Sequence, residues 1–127
     1  MKTYEELGAA LKASGIPFAE CEWATRPAGT FGTYQADSEV NQDAGDDLKL
    51  ARETEGSIDL YISGGRNKSL MHTVEQILID CCEGEWHREE PGYERETRLY
   101  HVEWIFRLPE ELPGPAGAET NGTGGGA

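Results

Sequence analysis

The sequence predicts an α+β domain in which a mostly antiparallel, mixed β-sheet carries two α-helices packed on one face. Three observations carry this reading. Two segments place apolar residues at helical spacing behind capping signals, while others alternate apolar and polar residues with a period of two. The order helix, hairpin, long strand, helix, two strands contains no repeating strand-helix unit, which favours an α+β arrangement over a parallel α/β one. Apolar residues make up 37% of 127 residues and thin out after Leu108, so residues 1–108 are expected to form one domain and 109–127 a flexible Pro/Gly-rich tail.

The first helix has both ends written in the sequence. Thr3 and Glu6 form a capping box, Gly15-Ile16-Pro17 stops the helix, and Tyr4, Leu7, Ala10 and Leu11 share a face. From Ala19 the period becomes two, with Ala19, Cys21 and Trp23 on one side. Arg26-Pro27-Ala28-Gly29 has turn chemistry and residues 30–34 favour a strand, which together read as a hairpin. Residues 37–47 are polar and acidic and read as a loop. Leu48, Leu50, Ile58, Leu60 and Ile62 then keep even parity, which places them on one side of a single long strand or of two strands joined at Gly56. Gly64-Gly65 ends that run. Leu70, Val74, Ile77, Leu78 and Cys81 recur at helical spacing, with Asn67 or Ser69 as N-cap and Gly84 as stop. Trp86 and its neighbours read as extended, Glu90-Pro91-Gly92 interrupts, and Tyr100, Val102, Trp104, Phe106 and Leu108 alternate through a closing strand.

The charge balance narrows the function classes. With 24 Asp and Glu against 11 Lys and Arg, the formal net charge is −13, and phosphate neutralisation by Lys and Arg is what gives proteins nucleic-acid affinity. The basic residues are spread along the sequence, so wrapping nucleic acid is not expected, although an acidic surface suits a channel through which DNA passes without sticking. No apolar run approaches the roughly 20 residues of a membrane-spanning helix, and the N-terminus lacks the apolar core of a signal peptide, so a cytoplasmic protein with no membrane partner is expected. Cys21, Cys81 and Cys82 are odd in number and include an adjacent pair, which reads as reduced thiols.

Each motif that could carry chemistry departs from the pattern that chemistry needs. Adjacent cysteines on a helix point about 100° apart, so Cys81 and Cys82 with His87 and His101 do not match zinc spacing, and Cys81 reads as core with Cys82 as a helix-flank thiol. Asp37, Glu39, Asn41 and Asp43 alternate like calcium ligands, but Gln42 and Leu48 stand where an EF-hand needs Gly and Glu. Gly64 to Ser69 lacks the Gly before Lys that a phosphate loop requires and reads as a strand-to-helix turn. Cys21, His72, His87 and His101 form no recognisable nucleophile-base signature. No catalytic residue, metal or cofactor is therefore expected, and Trp23, Trp86 and Trp104 read as core.

Three stretches carry a resemblance. Pro17-Phe18-Ala19 through Trp23 with residues 27–34, the approach to Ser57-Ile58-Asp59-Leu60-Tyr61, and Tyr93-Glu94 through His101-Val102-Glu103-Trp104 together resemble the tail terminator, or tail completion, proteins of long-tailed bacteriophages and prophages. The likeness covers the chain up to Leu108, while Cys81-Cys82 and the Gly-rich end depart from it. It implies a structural virion protein of the tail neck, assembled in the host cytoplasm as a homohexameric ring. Such a ring caps the tail tube, stops its polymerisation and meets the head-tail connector or stopper protein, with DNA as passing cargo. Asp37, Glu39, Asn41, Asp43, Asp46 and Asp47 are the candidate residues for lining the ring's lumen or contacting the tube. The alternatives are a head-completion or head-tail connector ring protein and, from other classes, an acidic regulatory or inhibitor domain that mimics nucleic acid or a cysteine-dependent enzyme.

Overall fold

The computed structural model describes residues 2–43 and 50–112, with side chains described for 2–37 and 53–109. Its elements are α1 (Tyr4–Lys12), β1 (Phe18–Glu20), β2 (Phe31–Asp43), β3 (Leu50–Ser63), α2 (Lys68–Cys82), β4 (Trp86–Arg88), β5 (Gly92–Glu94) and β6 (Leu99–Leu112). They form a six-stranded mixed sheet of order β1-β2-β3-β6-β4, with β5 also on β6. All neighbouring strands are antiparallel except β1 and β2. This is the expected α+β architecture.

The helices begin where their caps dictate. The Thr3 hydroxyl accepts from the Glu6 N–H at 3.1 Å, and the Glu6 carboxylate accepts from the Thr3 N–H at 2.8 Å, so two of the orphan donors of α1 are satisfied reciprocally. Leu7 and Leu11 are fully buried on its inner face. Gly8 lies between them because a β-carbon there would sit 2.6 Å from the Tyr34 hydroxyl, so its missing side chain lets α1 approach the sheet. Asn67 caps α2 by accepting from the Leu70 N–H at 3.2 Å. The last turn of α2 closes at Glu83, a left-handed residue with φ of 59°, one position before the expected Gly84. Met71, Val74, Leu78, Cys81 and Cys82 are buried, so Cys82 is core and not the flank thiol expected: its spacing of four from Leu78 puts it on the inner stripe.

Even-numbered positions build the core side of the sheet. Ile58, Leu60 and Ile62 of β3 and Val102, Trp104, Phe106 and Leu108 of β6 are all at most 1% exposed and pack against the helices. The pairs Ile58↔Trp104 and Leu60↔Val102 put these side chains directly opposite one another. β3 runs unbroken through Gly56, where Ala36 and Asp37 of β2 bulge against it. A β-carbon on Gly56 would lie 2.2 Å from the Gln35 carbonyl oxygen and 2.6 Å from the Phe106 ring, so glycine is required at this crossing.

Three expectations about the sheet are also corrected. β1 and β2 pair in parallel, Phe18↔Gly32 to Glu20↔Tyr34, and do not form a hairpin. Cys21, left-handed with φ of 66°, ends β1 and sends residues 22–30 back to the starting end of the sheet, where the Trp23 indole N–H donates to the Gly32 carbonyl at 3.0 Å. The segment 37–47 is not a loop as far as Asp43, because Asp37, Glu39, Asn41 and Asp43 lie on β2, paired with β3 down to Asp43↔Leu50. Finally, β6 continues past Leu108 to Leu112, paired with β3 at Pro109↔Glu53 through Leu50↔Leu112, so the closing strand runs four residues beyond its expected end. Leu48 and the expected tail from 113 onward lie outside the described residues.

Candidate interaction surface

The sequence-predicted residues divide between β2 and undescribed positions. Asp37 falls in the bulge, exposed, while Glu39, Asn41 and Asp43 follow along the strand beyond it. Asp46 and Asp47 lie outside the described residues.

Odd-numbered residues of β3 and β6, with those of β2 up to Gln35, build a second surface on the side of the sheet away from the helices. Register sets its rows: Phe31, Tyr61 and His101 lie directly across three strands, and Thr33, Asp59 and Glu103 form the next row. The first row is a stack. Phe31 and Tyr61 rings lie 5.0 Å apart at 19°, Tyr61 and His101 lie 4.5 Å apart at 8°, and the Arg26 guanidinium covers Phe31 at 5.0 Å. Such contacts contribute about 0.5–1.5 kcal/mol each beyond their buried area. Between the rows, His101 Nε2 meets Asp59 Oδ1 at 2.7 Å and Nδ1 faces Glu94 Oε2 at 3.3 Å, so the doubly protonated ring donates from both nitrogens. The hydrogen bond to Asp59 holds the imidazole pKa above its usual value, against partial burial that pushes it down, and the Asp59, Glu94 and Glu103 charges add to the rise.

Glu103 is the strained member of this surface. Its carboxyl pKa is raised first by burial and then by the Asp59 charge, and Glu89 and Asp37 add to the effect while His101 opposes it. The His101 imidazolium and the Arg26 guanidinium thus face a patch holding Asp59, Glu94, Glu103 and Glu89, in which carboxylates outnumber cations four to two.

The opposite side of the molecule supplies what this face lacks. Arg66, Lys68, Met71, His72, Glu75 and Arg88 line one hollow of about 300 Å³ at the start of α2. Glu75 in its wall accepts from Arg88 at 3.1 Å and from the buried Trp104 indole N–H at 2.9 Å. Arg66, Lys68 and Arg88, which are apart in sequence, therefore meet at one hollow on the helix side. Arg88 arrives there through the pairing Arg88↔Trp104, which puts it on the helix-facing side of β6's neighbour.

The thiols do not meet on either surface. Cys21 is exposed, whereas Cys81 and Cys82 are buried, and burial raises both of their pKa values, Cys82 to about 12. Among the described residues, no group of three or more His, Cys, Asp or Glu side chains converges in a way that would hold a metal ion. No helix among them is long and apolar enough to cross a membrane.

Comparison with protein-family models and with curated proteins finds no match to this chain. The geometry of the two surfaces therefore stands on its own. Sequence reading missed both. The only available signal for the open face was the odd parity of Asp59, Tyr61, His101 and Glu103, hidden behind the apolar even positions.

Proposed function

We propose that the chain is a structural subunit that assembles head to tail into a ring, of the tail terminator type implied by the resemblance. The observation that carries this reading is the opposition of two unlike surfaces. The open sheet face gathers Asp59, Glu89, Glu94 and Glu103, while the helix side gathers Arg66, Lys68 and Arg88. An acidic patch on the open face and a basic-lined hollow on the helix side let one copy meet a second through two different patches, which is the heterologous contact from which rings are built. Facing identical patches would instead put carboxylate against carboxylate.

In this reading the Glu103 row receives the cations of the next copy, which offsets the repulsion stored around its half-buried carboxyl. The finer roles come from the resemblance: the ring caps a tail tube, halts its growth and presents its other side to a connector protein. The acidic residues Asp37, Glu39 and Asp43 along β2 suit a surface past which DNA slides.

Electron microscopy of the purified chain mixed with polymerising tail tubes tests the assignment. The expected result is a ring seated at tube ends and tubes of arrested length. Tubes that elongate as they do without the protein, with bare ends, would overturn it.

A further inference from the structure

We propose that the outer edge of β2, from Ala36 to Asp43, is a strand-addition site for an extended, lysine- or arginine-bearing segment of a partner protein.

Backbone direction identifies the edge. The Gly32 N–H donates to Pro17 O and the Tyr34 C=O accepts from the Cys21 N–H, so even residues of β2 turn their backbone groups toward β1. β1 stops there, because left-handed Cys21 carries the chain away. Among the described residues no strand pairs β2 beyond Tyr34 on this side. The bulge then shifts the register from Ala36↔Gly56 to Ser38↔Glu55, so parity inverts. From Ser38 onward the even residues address β3, and Glu39, Asn41 and Asp43 turn their N–H and C=O groups outward. A row of outward backbone donors and acceptors is a template for another strand.

The edge of β6 beyond β4 is less suited to such pairing. On β6 the odd residues face outward: Glu103 C=O accepts from Glu89 N–H at 2.8 Å, and Arg107 N–H donates to Glu85 O at 2.9 Å. The next outward position is Pro109, which has no N–H to give. The β6 edge thus meets a proline just beyond the start of β4, and the β2 edge keeps its donors.

Charge selects the occupant. Asp37, Glu39 and Asp43 carry acid along the open edge and no basic residue lies among residues 37–43. Two copies of this edge would set carboxylates against each other, and the β6 edge offers Glu110 and Glu111 beside Pro109. The chain's own residues 113–127 are rich in glycine and contain Pro113 and Pro115, which form strands poorly. A segment with Lys or Arg at alternate positions satisfies both the backbone and the charge. This inference does not depend on the head-to-tail contact, since Glu103 and the basic hollow take no part in it, and a bound segment would take the place of DNA beside Asp37, Glu39 and Asp43.

A synthetic peptide alternating lysine and valine over seven residues tests it, with fluorescence anisotropy for affinity and amide hydrogen exchange for location. The expected result is binding that slows exchange at Glu39, Asn41 and Asp43, and an affinity at least about tenfold lower once alternate peptide nitrogens are methylated. Asn41→Pro removes an outward N–H that β3 does not use, so it should leave the fold intact and weaken binding by about the same factor. No binding, equal binding of the methylated peptide, equal binding of a glutamate-valine peptide, or protection confined to other strands would each overturn the proposal.

Discussion

Replacing Gly56 by alanine puts the sheet's register to a quantitative test. Where a glycine's backbone suits any residue and space is open, Gly→Ala stabilises by about 0.4–1 kcal/mol through the unfolded chain. At Gly56 the new methyl would stand 2.2 Å from the Gln35 carbonyl oxygen, a backbone atom that cannot swing away, and 2.6 Å from the fully packed Phe106 ring. Relief requires β2 or β3 to move at the bulge or Phe106 to leave its rotamer, and overpacking of this kind costs about 1–3 kcal/mol. We expect a loss of about 2–3 kcal/mol, a large share of the roughly 5–15 kcal/mol that holds such a domain. In a domain of this size that lowers the melting temperature by about 10 °C. Gly92→Ala serves as control, because a β-carbon there meets nothing within 4 Å, and it should be neutral or slightly stabilising. Thermal and urea unfolding followed by circular dichroism measure both. Equal stability of the two variants would show that the bulge does not face Gly56.

Three further outcomes follow from the open face and the thiols. His101→Gln removes the charge-assisted hydrogen bond to Asp59 and should cost about 1–2 kcal/mol in acid. Because the folded imidazole pKa is raised, that stabilisation is fully present below the ordinary histidine value and fades as pH rises through the folded one, so wild type and variant should converge in alkaline urea titrations. Glu103→Gln relieves a cross-strand like-charge pair with Asp59 and should raise stability by about 0.2–1 kcal/mol at neutral pH. Its folded pKa is also raised, so the gain should vanish as pH falls through the carboxyl range, where wild-type Glu103 becomes neutral. Iodoacetamide should add one label to the native protein, at exposed Cys21, and three after unfolding, read by intact mass.

How much of this was legible in the sequence depends on whether the signal is local. The capping box of α1 and the Asn67 cap of α2 are complete within four residues, and both form as read. The even parity of Ile58, Leu60 and Ile62 likewise needs no partner to be visible, and it locates the core face of β3. The parallel pairing of β1 was not legible, because it turns on a left-handed cysteine, and nothing in the residue type announces that backbone. The far half of β2 reads as a loop since Asp, Ser, Glu, Asn and Gln are poor strand formers. Pairing with β3 through Ser38↔Glu55 and beyond overrides that preference. Of the candidate residues, Asp37, Glu39, Asn41 and Asp43 therefore lie on a strand and not in the loop that their composition predicts. The two charged surfaces needed tertiary information of different kinds. The Phe31-Tyr61-His101 row requires the strand register, and the hollow joining Arg66 and Lys68 to Arg88 requires β4 to return beside α2.

The most direct test of the front-to-back account is the solution mass of the 14.0 kDa chain by size-exclusion chromatography with light scattering, at low and high salt. The account predicts a closed oligomer at low salt, six-fold if the resemblance holds. It should revert toward monomer in high salt, in Glu103→Gln and in the Arg66→Glu/Lys68→Glu double variant. A wild-type chain that stays monomeric at every salt and concentration, or a double variant that assembles unchanged, would contradict it.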